Sequence, residues 1–422
     1  MIMKLSSPGR DTLQPWLVVL LAAATQGINQ IDKAVIGLAA EPIMRDLSLS
    51  TEEYGFAAGA IYALFAVGGI SIGLLAARFR PRSILIALLL LWSLSQFPIV
   101  LAASFPVLVA CRVVLGVAEG GGTATCLNIC HEWFPETRRA IPGAVVMIGG
   151  TVGIMLTAPA LTYVISAYGW RAAFLACGLL GLAFTLIWLT VRRDGGFSAP
   201  PMVQEVQVVS VSLLGRLLVD RTILGIILVG LSAYWIVGFM IAWLAPYVRD
   251  QAGYSMISSG WVLSAVYLAQ SLVVVAVAAT SQRLLAVGHS SRVALAHVIA
   301  TAMLGSAACF LGLAFVTTPT IRLVLITMGT ALPGSVFSLC AAMISEVVPP
   351  RERNRVITIV LALMTVSALV SPGIAGRMIV LGQENGWFSA LLLIAVVGAC
   401  GAVVAALMLM PALTSAKFRQ PS

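Results

Sequence analysis

Long apolar runs dominate this chain and limit what it can fold into. Of its 422 residues, 60% are hydrophobic and 10% are charged, whereas about 25% of the residues in an ordinary soluble domain are charged. So few charges cannot cover the surface of a water-soluble protein of this length. Lipid must therefore replace water over much of the surface, and an all-α membrane protein is predicted, because helices satisfy their own backbone hydrogen bonds in lipid.

Charged residues and Gly or Pro positions divide the chain into twelve apolar runs of about 20 residues or more, the length that spans a bilayer as a helix. The longest polar stretch separates six runs from six, which predicts an amino-terminal bundle over 1–192, a cytoplasmic linker over 193–221 and a carboxy-terminal bundle over 222–422. The predicted helices are 15–40, 54–77, 83–104, 106–131, 140–166, 171–191, 222–248, 257–281, 293–316, 319–345, 356–381 and 387–410.

The basic residues lie mainly on alternate loops. With the amino terminus inside, 18 of the 25 Lys and Arg residues fall on the inner side, five on the outer side, and two, Lys33 and Arg112, inside helices. This bias follows the positive-inside rule and predicts that both termini are cytoplasmic. The net charge of +9 is thus a topology signal, and no nucleic-acid partner is expected.

The two halves of the sequence repeat the same Gly-Trp motif at the start of their last helix. Gly169-Trp170 opens the sixth predicted helix, and Gly386-Trp387 opens the twelfth, 217 residues later. Matching signals at matching helices predict two pseudo-symmetric six-helix bundles, as in transporters built from repeats that bind their substrate at the midplane.

Four ionisable side chains fall inside the first and fourth predicted helices: Asp32, Lys33, Arg112 and Glu119. Each costs about 2.5 kcal/mol or more to insert, so intramembrane charges are functional candidates by default. Arg112 and Glu119 are seven residues apart and share a helix face. Arg112, whose planar fork suits a carboxylate, is predicted to pair with an anionic substrate, and Asp32 and Glu119 are predicted to carry protons. The alternative is a buried salt-bridge network that locks the two helices, with Lys33 as the counter-ion of Asp32.

Polar and aromatic residues of other predicted helices are candidates to line a binding site and orient a ligand. For the candidates in the second half, packing is the alternative role, because that half has almost no buried charge. With Arg112 and Lys33, the predicted substrate-binding residues are Asn29, Tyr62, Phe65, Tyr234, Trp243, Gln270, Ser338 and Ser367.

These motifs resemble the major facilitator superfamily, and within it the anion:cation symporters that take up sugar acids, aromatic acids and other carboxylates. Asn29-x-x-Asp32-Lys33 resembles the family's first-helix pattern, and Arg112-x-x-x-Gly116-x-x-Glu119 resembles its fourth-helix signature. The resemblance implies alternating access, protonatable carboxylates at Asp32 and Glu119, and an arginine beside the site at Arg112.

The chain also departs from the family pattern. Ala77 stands at the acidic position of the superfamily's cytoplasmic loop motif, and Phe65 and Gly69 stand where sugar-acid carriers tend to show Tyr and Gln. A less polar cavity predicts a relatively apolar or aromatic carboxylate, or a siderophore-like metabolite, as the substrate.

Other functions fit the sequence less well. A proton-driven drug or metabolite exporter would show a Gly-Pro motif in the fifth helix, where Gly153 is followed by Ile154, and an organophosphate exchanger would place Arg within the seventh. A receptor without transport does not explain paired intramembrane carboxylates. No pattern typical of an enzyme, a cofactor or a metal site occurs. We expect a multi-pass, monomeric protein of a plasma membrane, most simply a bacterial inner membrane.

Overall fold

The computed structural model describes residues 13–418 except 77, 102–103, 192–194, 196, 198–210 and 350–351. Ala77 and most of the predicted linker lie outside these ranges. The described residues form helices and connecting turns without any β-strand. The long segments are α1 (Leu13–Leu38), α2 (Thr51–Leu75), α3 (Pro81–Leu101), α4 (Phe105–Trp133), α5 (Ala140–Tyr168), α6 (Trp170–Thr190), α7 (Arg221–Asp250), α8 (Met256–Ala286), α9 (Arg292–Leu313), α10 (Pro319–Val347), α11 (Arg353–Leu381) and α12 (Gly386–Met408).

Eleven of these segments, α2 to α12, are long and apolar enough to cross a membrane. The first segment, α1, has 26 residues and is long enough to span, but polar side chains in its second half lower its hydropathy. The predicted all-α, multi-pass membrane architecture is therefore confirmed. Its orientation in the membrane is still a prediction.

Several spanning segments are interrupted, which the hydropathy pattern does not reveal. A 3₁₀ turn at Ala60–Tyr62 divides α2, and α4 is broken at Gly121. The segment α10 breaks before Gly334, which follows a proline. Such breaks are tolerated in membrane helices because neighbouring helices satisfy the freed backbone groups. Three short helices outside the spans were not predicted: Ala40–Asp46, Val211–Leu218 and Pro411–Phe418.

Equivalent helices of the two halves pack in the same way. Within the halves, α1 packs on α5 as α7 packs on α11, and α3 packs on α6 as α9 packs on α12. Between the halves, α2 packs on α11 as α8 packs on α5. An offset of six helices therefore relates both the contacts within the halves and the contacts between them.

The halves are closed against each other at the end where α2 begins and α11 ends. Backbone contact there depends on glycine: a Cβ on Gly55 would lie 2.2 Å from Pro372 O, and one on Gly59 would lie 2.3 Å from Leu369 O. Thr51 Oγ1 donates to Gly376 O at 2.8 Å. On the predicted orientation this closed end is the outer one, so the structure is closed to the outside.

We expect Gly55→Ala to destabilise this closed state selectively, because the added methyl group overlaps a backbone carbonyl. Overpacking of this kind costs about 1–3 kcal/mol, enough to shift a two-state equilibrium about five- to 150-fold. Spin labels at 52 and 377, whose native side chains lie 3.9 Å apart, would report a longer distance in the variant. Gly73→Ala, in the same helix with nothing within 4 Å of the added atom, is the control, and an unchanged distance in Gly55→Ala would contradict the prediction.

Candidate functional site

The second half of α1 carries polar side chains within an otherwise apolar helix. Asn29 and Asp32 are almost fully buried, and so is Gln26. Gln26 Nε2 donates to Thr123 Oγ1 of α4 at 2.8 Å, so this polar face packs on α4. The spacing of three residues places the three side chains on one face of the helix, inside the amino-terminal half. Lys33, the next residue along, lies to one side of that face.

Lys33 is held by three oxygen partners. Its Nζ donates to Asn29 Oδ1 and to Gln30 Oε1, both at 2.8 Å, and lies 3.0 Å from Glu119 Oε2. The centroid of the Phe65 ring is 5.9 Å from the same nitrogen, within the range of a cation–π contact. The Lys33 side chain is 17% exposed, so its ammonium group is paired with protein oxygens yet accessible to a ligand.

Glu119 lies deeper than its partner. Its side chain is fully buried, and Lys33 is its ion-pair partner within the described part of the chain. A buried ionised carboxylate is stable only while a cation or hydrogen-bond donors compensate its lost hydration. The charge of Glu119 is therefore coupled to the position of Lys33.

Arg112 and Asp32 form a second contact between α1 and α4. Arg112 is 1% exposed, and its Nη1 donates to the backbone carbonyl oxygen of Asp32 at 2.9 Å. Within the described ranges, Arg112 Nε and Nη2 and Asp32 Oδ1 have no hydrogen-bond partner. The four ionisable residues thus lie together, with Arg112 and Glu119 on one face of α4 as their spacing predicted, but Arg112 and Asp32 face the interior of the amino-terminal half.

A central cavity of about 230 Å³ lies between the two halves. Lys33 is the charged member of its lining, Gln30 is polar, and the remaining side chains are aromatic or aliphatic. The lining residues are Gln30, Lys33, Ala34, Tyr62, Phe65, Ile154, Tyr234, Val237, Met240, Ile241, Tyr267 and Phe337.

A second cavity of about 330 Å³, here called the vestibule, lies towards the end opposite the closed one. Its lining comes from the second halves of α2 and α4, the start of α3, the first half of α11, and Tyr234. Its polar residues include Asn128 and Thr358. Phe65 and Tyr234 line both cavities. These two rings, one from each half, therefore separate the central cavity from the vestibule.

Four of the predicted substrate-binding residues line the central cavity: Lys33, Tyr62, Phe65 and Tyr234. The other predicted residues line neither the central cavity nor the vestibule, and several are occupied by other contacts. Trp243 Nε1 donates to Pro372 O at 2.8 Å, and Gln270 Nε2 donates to Thr330 Oγ1 at 2.6 Å.

The two predicted serines are also hydrogen-bonded within the carboxy-terminal half. Ser338 Oγ donates to Ser335 O at 3.0 Å, and Ser367 Oγ donates to Leu231 O at 2.6 Å. These hydroxyls satisfy backbone carbonyls of that half, which is a packing role. Substrate contact by Arg112, Asn29 and the four residues of the carboxy-terminal half is still a prediction.

Gln30 and Phe337 also line the cavity and were missed as binding candidates. Gln30 stands between two predicted site residues, Asn29 and Asp32, and its polarity inside a spanning helix was the available signal. Phe337 belongs to a run in which aromatic residues most often pack, and no sequence signal identifies which face of its helix meets the other half.

The family model described as Major Facilitator Superfamily matches residues 22–334 and 290–421 of this chain. Among solved structures, a bacterial homologue of the human lysosomal transporter Spinster, inward-facing and occupied, superposes with a TM-score of 0.80 at 18% identity and covers 99% of both chains.

Among curated proteins, a hexuronate transporter from Bacillus subtilis is 25% identical over 270 residues, which is 62% of this chain and 63% of the relative. A probable sulfoacetate transporter from Cupriavidus necator is 30% identical over 167 residues, which is 40% of this chain and 39% of the relative. The chain thus spans less than two thirds of the length of either relative.

Proposed function

The chain belongs to the Major Facilitator Superfamily, and on that premise we propose that it is a proton-coupled symporter that imports a small, relatively apolar or aromatic organic anion by alternating access. The observation that carries this proposal is the Lys33–Glu119 pair at the wall of the central cavity, with Nζ and Oε2 3.0 Å apart. One member of the pair is accessible to a ligand and the other is buried, so the pair links anion binding to the charge of a carboxylate.

Charge supports an anionic substrate. Lys33 is the charged side chain in the cavity lining, and a carboxylate or sulfonate that enters there can replace one of its three oxygen partners. Charge-assisted hydrogen bonds of this kind contribute about 1.5–3 kcal/mol. The relatives are named hexuronate and sulfoacetate transporters, and both names denote organic anions.

Coupling follows from competition for Lys33. When a bound anion draws the ammonium group towards the cavity, Glu119 loses its only ion-pair partner in the described structure. A buried carboxylate without a partner is strongly disfavoured in its ionised form, so a proton neutralises it. Anion and proton are then carried in the same step, and their joint release restores the Lys33–Glu119 pair. Asp32 remains a second candidate proton carrier.

The other residues that line the central cavity support an anion whose uncharged part is apolar. Tyr62, Tyr234, Tyr267 and Phe337 surround the cavity, with the Tyr234 and Phe337 ring centroids 4.6 Å apart. Besides Lys33, Gln30 supplies a side-chain amide, and the tyrosines supply hydroxyl groups. A polyhydroxylated sugar acid would require more hydrogen-bond partners, whereas an aromatic ring would bury its faces against these rings.

The cavity size favours a small anion over a siderophore-like metabolite. Pockets for drug-sized ligands measure about 300–1,000 Å³, and this cavity measures about 230 Å³.

No observation on the described residues favours export over import. The proposed plasma-membrane location, most simply a bacterial inner membrane, follows from the predicted topology.

Uptake into proteoliposomes tests the proposal. With an outwardly acidic pH gradient, we expect accumulation of a permanently charged aromatic sulfonate such as benzenesulfonate, abolished by a protonophore and absent from protein-free vesicles. Benzoate is assayed in parallel as the excess over protein-free vesicles, because benzoic acid itself crosses bilayers. Uptake that depends on the protein and is specific for hexuronates would contradict the apolar substrate, and uptake indifferent to the protonophore would contradict coupling.

Removal of an aromatic ring should weaken substrate binding. We expect Tyr234→Ala to raise the Kd for the aromatic anion about two- to twelve-fold, because an aromatic pair contributes about 0.5–1.5 kcal/mol beyond buried area. Titration of the purified protein measures it. Phe315→Ala, which removes an exposed ring outside the cavity, is the matched control. Equal Kd values for Tyr234→Ala and the parent protein would remove Tyr234 from the site.

A further inference from the structure

A cleft far from the central cavity opens at the start of α7, where three segments meet. The short helix Val211–Leu218 precedes α7, and the short helix Pro411–Phe418 follows α12. The cleft encloses about 490 Å³ and is lined by Arg216, Val219, Asp220, Lys417 and Phe418. None of these residues belongs to the transport site, so the cleft requires a separate explanation.

Asp220 fixes the geometry of this cleft. It caps α7 by accepting from Thr222 N at 2.9 Å, and it also accepts from Thr414 Oγ1 at 2.7 Å and Lys417 Nζ at 3.1 Å. Burial acts in the opposite direction, but these hydrogen bonds hold the pKa of Asp220 below its ordinary value. Its carboxylate is therefore ionised at neutral pH, and it ties the carboxy-terminal helix Pro411–Phe418 to α7.

The charges of the described residues around the cleft do not balance. Arg216, Arg221 and Lys417 contribute three positive charges, and Asp220 contributes one negative charge. Lys417 already contacts Asp220, and Arg221 Nη2 donates to Leu407 O at 2.7 Å. Arg216 is exposed and forms no ion pair with any described residue. Arg216 and Lys417 thus both line the cleft, and both keep N–H groups that have no acceptor within the described structure, which suits a phosphate group.

Exposed aliphatic side chains lie near the cleft. Val219 is 77% exposed, and Leu413, on the carboxy-terminal helix, is 61% exposed. Val219 lies just before α7, and Leu413 lies in the short helix that follows α12, so on the predicted topology both are next to the membrane surface. A cation pair beside exposed aliphatic side chains therefore matches both parts of a phospholipid, its phosphate and its chains.

We propose that this cleft binds the head group of an anionic phospholipid, with the phosphate between Arg216 and Lys417 and an acyl chain along Val219 and Leu413. On the predicted orientation, the lipid belongs to the cytoplasmic leaflet. The bound lipid joins the helix before α7 to the helix after α12, and so stabilises the carboxy-terminal half. This site is independent of the proposed substrate and of proton coupling.

Native mass spectrometry of the purified full chain with added phosphatidylglycerol tests the proposal, with phosphatidylcholine as the neutral reference. A cation in contact with an anionic head group contributes about fivefold in affinity, so Arg216→Gln should weaken phosphatidylglycerol binding about fivefold and Arg216→Gln with Lys417→Gln about thirtyfold. Arg283→Gln, an exposed arginine at the same predicted membrane face, is the control and should bind as the parent does. Lys417→Arg, which keeps the charge, should also bind normally.

Thermal unfolding provides the second readout. Phosphatidylglycerol should raise the Tm of the parent protein and of Arg283→Gln but not that of the double variant. Equal phosphatidylglycerol binding by parent and double variant would overturn the proposal. A Tm increase with inorganic phosphate alone, abolished in the double variant and unmatched by the lipid, would show a free-phosphate site and also overturn it. Arg216→Gln removes no hydrogen bond within the described structure, so it keeps the test decisive if the double variant does not fold.

Discussion

Glu119→Gln is expected to abolish accumulation driven by a pH gradient while exchange continues. Gln is close in shape to the protonated carboxyl group, so the variant resembles a carrier that is permanently loaded with its proton. A gradient of one pH unit supplies about 1.4 kcal/mol per proton, which supports up to about tenfold accumulation for each coupled proton. In the variant the ratio of internal to external anion should fall to about one.

Two flux measurements on the same proteoliposomes check this prediction. Net uptake under a pH gradient should be lost, and counterflow of labelled anion against unlabelled anion should persist. Glu53→Gln, which changes an exposed helix-capping carboxylate outside the site, is the control and should leave both activities intact. If Glu119→Gln accumulates anion as the parent does, Glu119 is structural, and Asp32→Asn becomes the variant to examine for coupling.

Lys33→Gln is expected to produce the largest loss of anion affinity. The ammonium group is the charged member of the cavity lining, and a charge-assisted hydrogen bond contributes about 1.5–3 kcal/mol. The Kd for the anion should therefore rise about ten- to 150-fold. Equilibrium binding to the purified protein measures the change, and Lys33→Arg, which keeps the positive charge, should retain most of the affinity.

The single variant also leaves Glu119 buried without its cation, so misfolding must be separated from lost binding. Combining Lys33→Gln with Glu119→Gln removes both charges, and this double variant should recover the Tm but not the affinity. Arg112→Gln distinguishes the two cations of the site. If it weakens binding as strongly as Lys33→Gln while Tm is unchanged, then Arg112 contacts the anion directly in another state of the carrier.

The spanning helices could be predicted because lipid imposes a length and a composition on each of them. Interruptions within the spans were not predictable, since a glycine such as Gly121 also occurs in uninterrupted membrane helices. The helix Pro411–Phe418 was missed for a different reason. It is held by contacts with Asp220, a residue nearly two hundred positions earlier in the chain, and no local pattern records that contact.

The charged part of the site could be predicted because an ionisable residue in a membrane is rare and costly. The seven-residue spacing correctly placed Arg112 and Glu119 on one face of α4. Spacing alone does not show whether that face meets the cavity or the interior of its own half, and Arg112 lies in the interior. In the carboxy-terminal half, hydroxyls such as that of Ser367 bond to backbone carbonyls, so their polarity was a poor guide to the cavity.

The three oxygen partners of Lys33 have a consequence for the empty carrier, which must also reorient to complete a cycle. The ammonium group donates hydrogen bonds to Asn29 and Gln30 and forms an ion pair with Glu119, all within the same half. The unloaded protein can therefore change conformation without exposing an uncompensated ion to a low-dielectric interior. Asn29 lines neither cavity, so loss of its amide oxygen would slow this return step and leave the loaded step unchanged; net transport would fall, while exchange between two filled compartments would not.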